Sequence, residues 1–352
     1  MSLHPVLIEL ARLGVWILAM FGFVAIHAII YLMFGTGGGK GNIPDEAFEY
    51  RYRPGIVPDG AFLVDLHGHT FASDGRMTPE QFIKWHVANG YDACVLTDHN
   101  TGKHNGAFMA LQDKYPGIVL VPGFEWTTDR LHMNFIGIMD YPYKVPVLNP
   151  SDEEIQLAIK QAKDLGAVVM VDHVTWTKDQ PRLRSGVVEH PTREQLLDWG
   201  VDGFEISNAM YWHDPRTVVF LQRAGHEWRG RKIFAGTGTD VHDPAREWAS
   251  SWTELLLDEN ERHSPTIEVV KRALLDGRAR PWQDFDYREP PESRVAGSRR
   301  HAWASTFFAP FLGTVEGAAK VVVSKRELAS YVCWLLLAYV PVRFLFLLFS
   351  LL

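Results

Sequence analysis

Short apolar runs separated by polar turns fill the middle of the chain. Phe62-Leu63-Val64-Asp65-Leu66, Ala93-Cys94-Val95-Leu96, Val119-Leu120-Val121, Ala167-Val168-Val169-Met170-Val171 and Ile233-Phe234-Ala235 are too short for helices and stop at turn-forming or polar residues, which predicts buried strands. Val201-Asp202-Gly203-Phe204-Glu205-Ile206 predicts another. Helical signals lie between them. Thr78-Pro79-Glu80 opens a helix expected to reach Asn89, because proline suits a first turn, acids suit the positive end of the helix dipole, and Asn89-Gly90 stops the run. Ser151-Asp152-Glu153-Glu154 is a capping-box start for a helix to about Leu165, ended by Gly166. Pro191-Thr192-Arg193-Glu194 and Pro215 start two more. Strand and helix alternate from residue 61 to about 277 without an internal repeat, which predicts one continuous α/β domain.

The strands share an ending. The first runs into His67-Gly68-His69 and then Asp74-Gly75, the second into Asp98-His99, and the third into Glu125, with His132 shortly after it. The fourth runs into Asp172-His173 and the fifth into Asp240-Val241-His242. At strand periodicity His67 and His69 share a face, so two imidazoles can meet one ion. Five apolar strands that each end in His, Asp or Glu predict parallel strands delivering ligands to one rim of a β/α barrel.

Both ends of the chain are hydrophobic. Residues 14–34 carry no Asp, Glu, Lys or Arg and are long enough to cross a bilayer as a helix. A cleaved secretory signal is the alternative, but the run exceeds a usual signal core and no clear cleavage site follows, so an amino-terminal anchor is expected. Gly35 to Gly41 is a glycine-rich linker; no strand precedes it and Gly39-Lys40 is not followed by Ser or Thr, which excludes a phosphate-binding loop. Residues 331–352 are apolar apart from Arg343, which costs about 2.5–3.5 kcal/mol at mid-depth, so this segment either spans or lies kinked in the interface. The expected organisation is anchor and linker over 1–40, barrel over 41–285, a connector with a membrane-surface segment over 286–330, and a membrane segment over 331–352. Basic residues flanking the two apolar ends lean slightly toward a cytoplasmic barrel.

Composition narrows the chemistry. A chain of 352 residues with 47% hydrophobic content has enough for one barrel-sized core. Its formal charge of −7 argues against a nucleic-acid groove. The two cysteines, Cys94 and Cys333, form no zinc-type pair, so a metal here takes nitrogen and oxygen ligands. No Gly-x-Ser-x-Gly elbow is present.

In order, His67-Gly68-His69 with Ser73-Asp74-Gly75, then Thr97-Asp98-His99-Asn100, Gly123-Phe124-Glu125, an isolated histidine and Asp240-Val241-His242 resemble the PHP (polymerase and histidinol phosphatase) family over roughly residues 61–285. The resemblance implies a distorted seven-stranded β/α barrel, (β/α)7, with two or three divalent ions of zinc, manganese or iron. It implies one ion held by His67, His69, Glu125 and Asp240, a second by Asp74, His99 and His242, and a third by Glu125, His132 and His173, with Glu125 bridging. The sequence departs from the family at Asp172-His173-Val174, where many relatives have a small residue before the histidine and proline after it.

The expected function is a membrane-anchored, metal-dependent hydrolase, foremost a phosphoesterase, with Glu125, Asp240 and His242 at the catalytic centre. Hydrolysis of a carbamate or other non-phosphate ester is one alternative, and a non-catalytic metal-binding accessory protein is another. A small-molecule ester and the lipid bilayer are the expected partners, with a membrane protein or a second copy of the chain in addition. Arg216, Arg246, Trp126 and Trp176 are candidates for substrate contact, each also explicable as packing or solvated loop. Glu205 and Asn208 at a strand end are either partners that orient a ligand or members of a surface ion pair. Asp98 and Asp172 are expected to be hydrogen-bonding residues of the barrel rather than ligands.

Overall fold

The computed structural model describes residues 56–283 apart from 147–148, 180–188, 209–211, 245–246 and 248, together with Gly14, Ile43 and Phe48. Contacts divide the chain into one unit over Gly39–Ala296, which holds the barrel, and another formed by the two ends. The segments expected to meet the membrane, 14–34 and 331–352, and the connector over 286–330 lie outside the described residues apart from Gly14. Among the described residues, no helix is long and apolar enough to cross a membrane.

The strands are β1 (Phe62–Asp65), β2 (Ala93–Leu96), β3 (Val119–Thr127), β4 (His132–Ile136), β5 (Val168–Val171), β6 (Gly203–Asn208), β7 (Trp212–His213), β8 (Glu227–Trp228), β9 (Arg231–Lys232), β10 (Phe234–Gly238), β11 (Ser251–Leu255) and β12 (Ala279–Gln283). The helices are α1 (Pro79–Ala88), α2 (Asn105–Met109), α3 (Asp152–Asp164), α4 (Val174–Asp179), α5 (Arg193–Trp199), α6 (Pro215–Ala224), α7 (Glu259–His263) and α8 (Ile267–Leu275). One sheet runs in the order β10-β6-β5-β4-β3-β2-β1-β11-β12, with β7 on β6 and β8–β9 a separate ribbon. It curls until the end of β1 meets the end of β10, where Gly68 bridges Val241, His69 N donates to Val241 O at 3.0 Å and Asp240 N donates to His67 O at 2.9 Å. The result is a nearly closed α/β barrel.

Simple alternation of parallel strand and helix is not what forms. β1–β2, β2–β3, β5–β6 and β6–β10 pair in parallel, whereas β3–β4, β4–β5 and β1–β11 are antiparallel. β3 and β4 join directly, with Thr128 accepting from Leu131 N at 3.1 Å to tighten the turn. The His-Met-Asn-Phe-Ile stretch from His132 therefore enters as a strand of its own, running back from the rim.

Helix starts follow the capping chemistry. Thr78, Ser151 and Thr192 each accept from the N3 backbone while Gln81, Glu154 and Gln195 reach back, so three capping boxes set the starts of α1, α3 and α5. Alternation along the strands sorts the core into an inside and an outside. Val64, Leu66, Val95, Val121, Val168, Met170 and Phe234 fill the barrel, closed by Val270, Ala273 and Leu274 of α8. Phe124, Trp126, Val169, Val171 and Phe204 face outward against Ile155, Ile159, Leu196 and Leu197 of α3 and α5.

Candidate metal centre

The apolar filling stops at the barrel end where β1, β2, β3, β5, β6 and β10 run out, and a polar cluster begins. His67 and His69 follow β1, Asp74 sits on the loop after them, His99 follows β2, Glu125 lies on β3, His132 opens β4, His173 follows β5, and Asp240 and His242 follow β10. Backbone close approach places several of them. A side chain at Gly75 would strike the His69 carbonyl at 2.5 Å, so glycine lets the loop bearing Asp74 fold back on the His69 strand end. A side chain at Gly238 would collide with His67 and Glu205. His173 and Asp240 adopt left-handed backbone, φ 24° and 52°, at the points where chain direction changes.

Glu125 is fully buried and its two oxygens face different histidines. Oε2 lies 2.7 Å from His99 Nδ1, 3.3 Å from His67 Nε2 and 3.4 Å from His69 Nε2. Oε1 lies 2.7 Å from His132 Nδ1 and 3.7 Å from His173 Nε2. Asp240 Oδ1 lies 2.9 Å from His69 Nε2 and 3.4 Å from His67 Nε2. Asp74 stands 3.2 Å from His242 Nε2 and 3.5 Å from His99 Nε2. His242 Nδ1 donates to the Asp240 carbonyl at 2.6 Å, which leaves Nε2 as its ligand atom.

The donor set fits divalent cations. Ligands about 2.0–2.2 Å from one ion stand roughly 3 Å apart, which is the spacing seen here. Among the described residues five groups have donor atoms mutually within 4.8 Å, and four of them are made of the nine candidate ligands: His69 with Asp74, His99 and His242; His67 with His69 and Glu125; His67 with His173 and Asp240; and His99 with Glu125 and His132. The grouping differs in detail from the expected one, since His69 also joins the Asp74 set and His173 also groups with His67 and Asp240. His69 Nδ1 is a buried nitrogen without a hydrogen-bond partner.

Electrostatics point the same way. Burial alone would raise the carboxylates, yet Glu125, held by His99 and His67, and Asp240, held by His67 and His242, lie well below their usual range, as does Asp74 beside His242 and His99. Burial is likewise outweighed at His99, pushed up to about 11 by Glu125 and Asp74, and at His242, pushed up to about 10 by Asp240 and Asp74. At His132 burial prevails over Glu125 and brings the ring down to about 4. Without ions the pocket collects protons, because buried carboxylates demand positive charge there.

Around this set lie groups that hold it. Glu205, fully buried on β6, accepts from His67 Nδ1 at 3.2 Å, from His173 N at 2.8 Å and from Asn208 Nδ2 at 3.0 Å; it is no surface ion pair. Asp65 holds His86 Nε2 at 2.9 Å and Thr239 N at 2.9 Å, fixing the approach to Asp240. Nothing in the chain flags this pairing in advance, because Asp65 sits inside an apolar run.

The proposed substrate contacts fare differently. Trp126 is a correction: it neighbours Glu125 in sequence, so strand alternation sends it outward, where it is fully buried against the helices. Arg216 lies on α6 in a shallow groove with Val219, Phe220, Arg223 and Trp228, and none of the nine candidate ligands lines that groove. Arg246 and the Trp176 side chain lie outside the described residues. Asp172 is the second correction, since neither of its oxygens has a hydrogen-bond partner.

No protein-family model matches the chain. A two-domain protein from Bacteroides vulgatus ATCC 8482, containing a predicted PHP-like metal-dependent phosphoesterase, superposes with a TM-score of 0.50 and 21% identity, over 67% of this chain and 69% of that one. The chain has the PHP-like fold. An inferred metal-dependent phosphoesterase from Bifidobacterium adolescentis ATCC 15703 is a more distant likeness, with TM-score 0.43, 17% identity, and cover of 63% of this chain and 98% of that one. In sequence, the chain is 32% identical over 81 residues to the 5'-3' exoribonuclease Rnm of Salmonella typhimurium (strain LT2). That match takes in 21% of this chain and spans only 27% of the relative's length.

Proposed function

We propose that this chain is a metal-dependent phosphoesterase, held at a membrane by its hydrophobic ends with the barrel on the cytoplasmic side. The observation that carries the reading is Glu125, one buried carboxylate whose two oxygens address separate histidine sets. When bound, divalent ions in this set supply Lewis acidity, acidifying a water and offsetting charge on phosphoryl oxygens. The chain's own residues do the positioning. Glu125 spans the centre, Asp240 and His69 close one side, and Asp74, His99 and His242 form the more exposed side, where Asp74 and His242 have side chains 56% and 28% accessible. A substrate therefore enters over Asp74, His99 and His242. Glu205 fixes the ring of His67 so that Nε2 faces inward to the centre.

Two or three ions of zinc, manganese or iron suit the mixed imidazole and carboxylate donors. The chain's formal charge of −7 favours a small phosphoester over a long nucleic acid. The local likeness to an exoribonuclease favours the end of an oligonucleotide as a second substrate class. The test is elemental analysis of the purified full chain with turnover of phosphomonoester, phosphodiester, 5'-phosphorylated oligonucleotide and carboxyl-ester substrates. Metal-dependent cleavage of a phosphoester is expected; cleavage of the carboxyl ester alone, or of none of them by a metal-loaded chain, overturns the reading. Resistance to carbonate and high-salt extraction checks the anchoring.

A further inference from the structure

Asp172, just past β5, and Glu205, within β6, each lie one position past Val171 and Phe204, the last residues that pair these two parallel strands. Both are buried, at 0% and 1% exposure. Glu205 is satisfied by His67, His173 and Asn208, whereas both oxygens of Asp172 are buried without a partner. A buried carboxylate of this kind calls for a proton, water or cation, since an unpaired buried charge is among the costliest arrangements in a protein. One oxygen each of Asp172 and Glu205 and a ring nitrogen of His67 lie within 4.8 Å of one another, in a group that shares only His67 with those around Glu125. His67 is the partition: Nε2 faces Glu125 and Asp240, and Nδ1 faces Glu205. Asn134 Oδ1 on β4 and Ser207 Oγ on β6 are further buried oxygens without a partner.

We propose that Asp172 and Glu205 hold an additional divalent cation of the magnesium or manganese class inside the barrel, on the side of His67 away from Glu125. The donors carry the choice of ion. The centre around Glu125 is rich in imidazole, while this position offers carboxylate oxygens, which small hard cations accept one or two at a time while keeping water for the remainder. His67 keeps its Nδ1 proton for Glu205 and is a wall of the site.

The experiment takes the full chain in detergent, strips it with chelator, reloads it with Mn2+ and counts bound equivalents by equilibrium dialysis and elemental analysis. Asp172→Asn should bind one equivalent fewer than the parent and hold the others with unchanged affinity. Equal stoichiometry in the two proteins overturns the inference, and so does loss of every equivalent at once, which would make Asp172 a prop of the Glu125 cluster. Should the variant fail to fold by circular dichroism, anomalous diffraction from Mn2+-soaked crystals of the parent decides. A peak within ligand distance of an Asp172 oxygen supports the site, and its absence there refutes it. Failure to cleave phosphoesters by a chain that carries this ion would overturn the proposed activity and leave the site standing.

Discussion

The ends of β2 and β5 read alike, an apolar run followed by Asp-His, and they end in opposite circumstances. After β2, Asp98 accepts from Thr70 N at 2.8 Å, from Ser73 Oγ at 2.7 Å and from Thr70 Oγ1 at 2.5 Å, and so ties down the loop that carries Asp74. After β5, Asp172 meets no donor and lies among other acids. Local sequence sends a carboxylate off the strand end in both cases. Its neighbour decides the rest: a Thr- and Ser-bearing loop beside β2, and the Glu205-bearing strand β6 beside β5. A saturated carboxylate is a brace, and an unsaturated one is a demand for charge.

Glu125 joins the two ends, with one oxygen toward His99 and the other toward His173. Its replacement should have the largest effect. Glu125→Gln is expected to lower turnover of a generic phosphoester by on the order of 100- to 1,000-fold, the scale of removing one charge-stabilising group from a reaction centre. His132→Ala should cost about tenfold, largely restored by added metal, because an edge ligand chiefly sets affinity. Turnover of both variants across a metal titration is the measurement, and equal, metal-insensitive losses would break the link between the two ends.

Stability separates the aspartates directly. Asp98→Ala leaves the buried Thr70 N–H unsatisfied and should lower unfolding free energy by about 2–3 kcal/mol. Asp172→Asn in chelator-treated protein should change it by less than about 1 kcal/mol, or raise it, since the buried carboxyl it replaces has no donor to lose. Urea titrations of the two variants supply the comparison; similar losses would mean that Asp172 is braced after all.

The pH dependence of the metal-free protein is expected to have two signs. His99 and His242, raised to about 11 and about 10, hold protons in the folded chain that the unfolded chain releases near 6.5, so their stabilisation is complete below 6.5 and is lost as pH rises through 10 to 11. His132, lowered to about 4, acts oppositely: between 6.5 and 4 the unfolded chain takes up its proton first, and stability falls with pH. Stability should therefore peak near pH 6.5, and bound divalent ions should flatten the alkaline decline by replacing those protons. Denaturation midpoints between pH 4 and 10, with and without metal, check both signs.

Much of this arrangement is legible in the chain. Apolar runs mark β1, β2, β3, β5, β6 and β10, and capping residues locate α1, α3 and α5 to within a residue or two, because both signals act over a few neighbours. The β3–β4 hairpin is hidden, although Met133 and Phe135 alternate with His132 and Asn134 as a strand would; the Thr-Thr-Asp-Arg turn lacks the glycine that marks most hairpins. Trp126 misleads because sequence proximity to Glu125 means the opposite face of a strand. The bracing by Glu205 is only half visible, for it depends on Gly238, a strand away, having no side chain.

The barrel's seam has a consequence for how the molecule holds together. β1 and β10 form no ladder and touch at their ends, through Gly68 and Val241, with two backbone–backbone hydrogen bonds there and Thr239 bonded to Asp65 beside them. His67 and His69 stand on one lip of that gap and Asp240 and His242 on the other, so an ion shared across it is a clasp between segments more than 170 residues apart. Closing so long a loop in the unfolded chain is entropically costly, and a clasp present only in the folded chain resists its reopening. Metal uptake and amide protection along β1 and β10 should therefore rise together, which makes this catalytic candidate also a fastener.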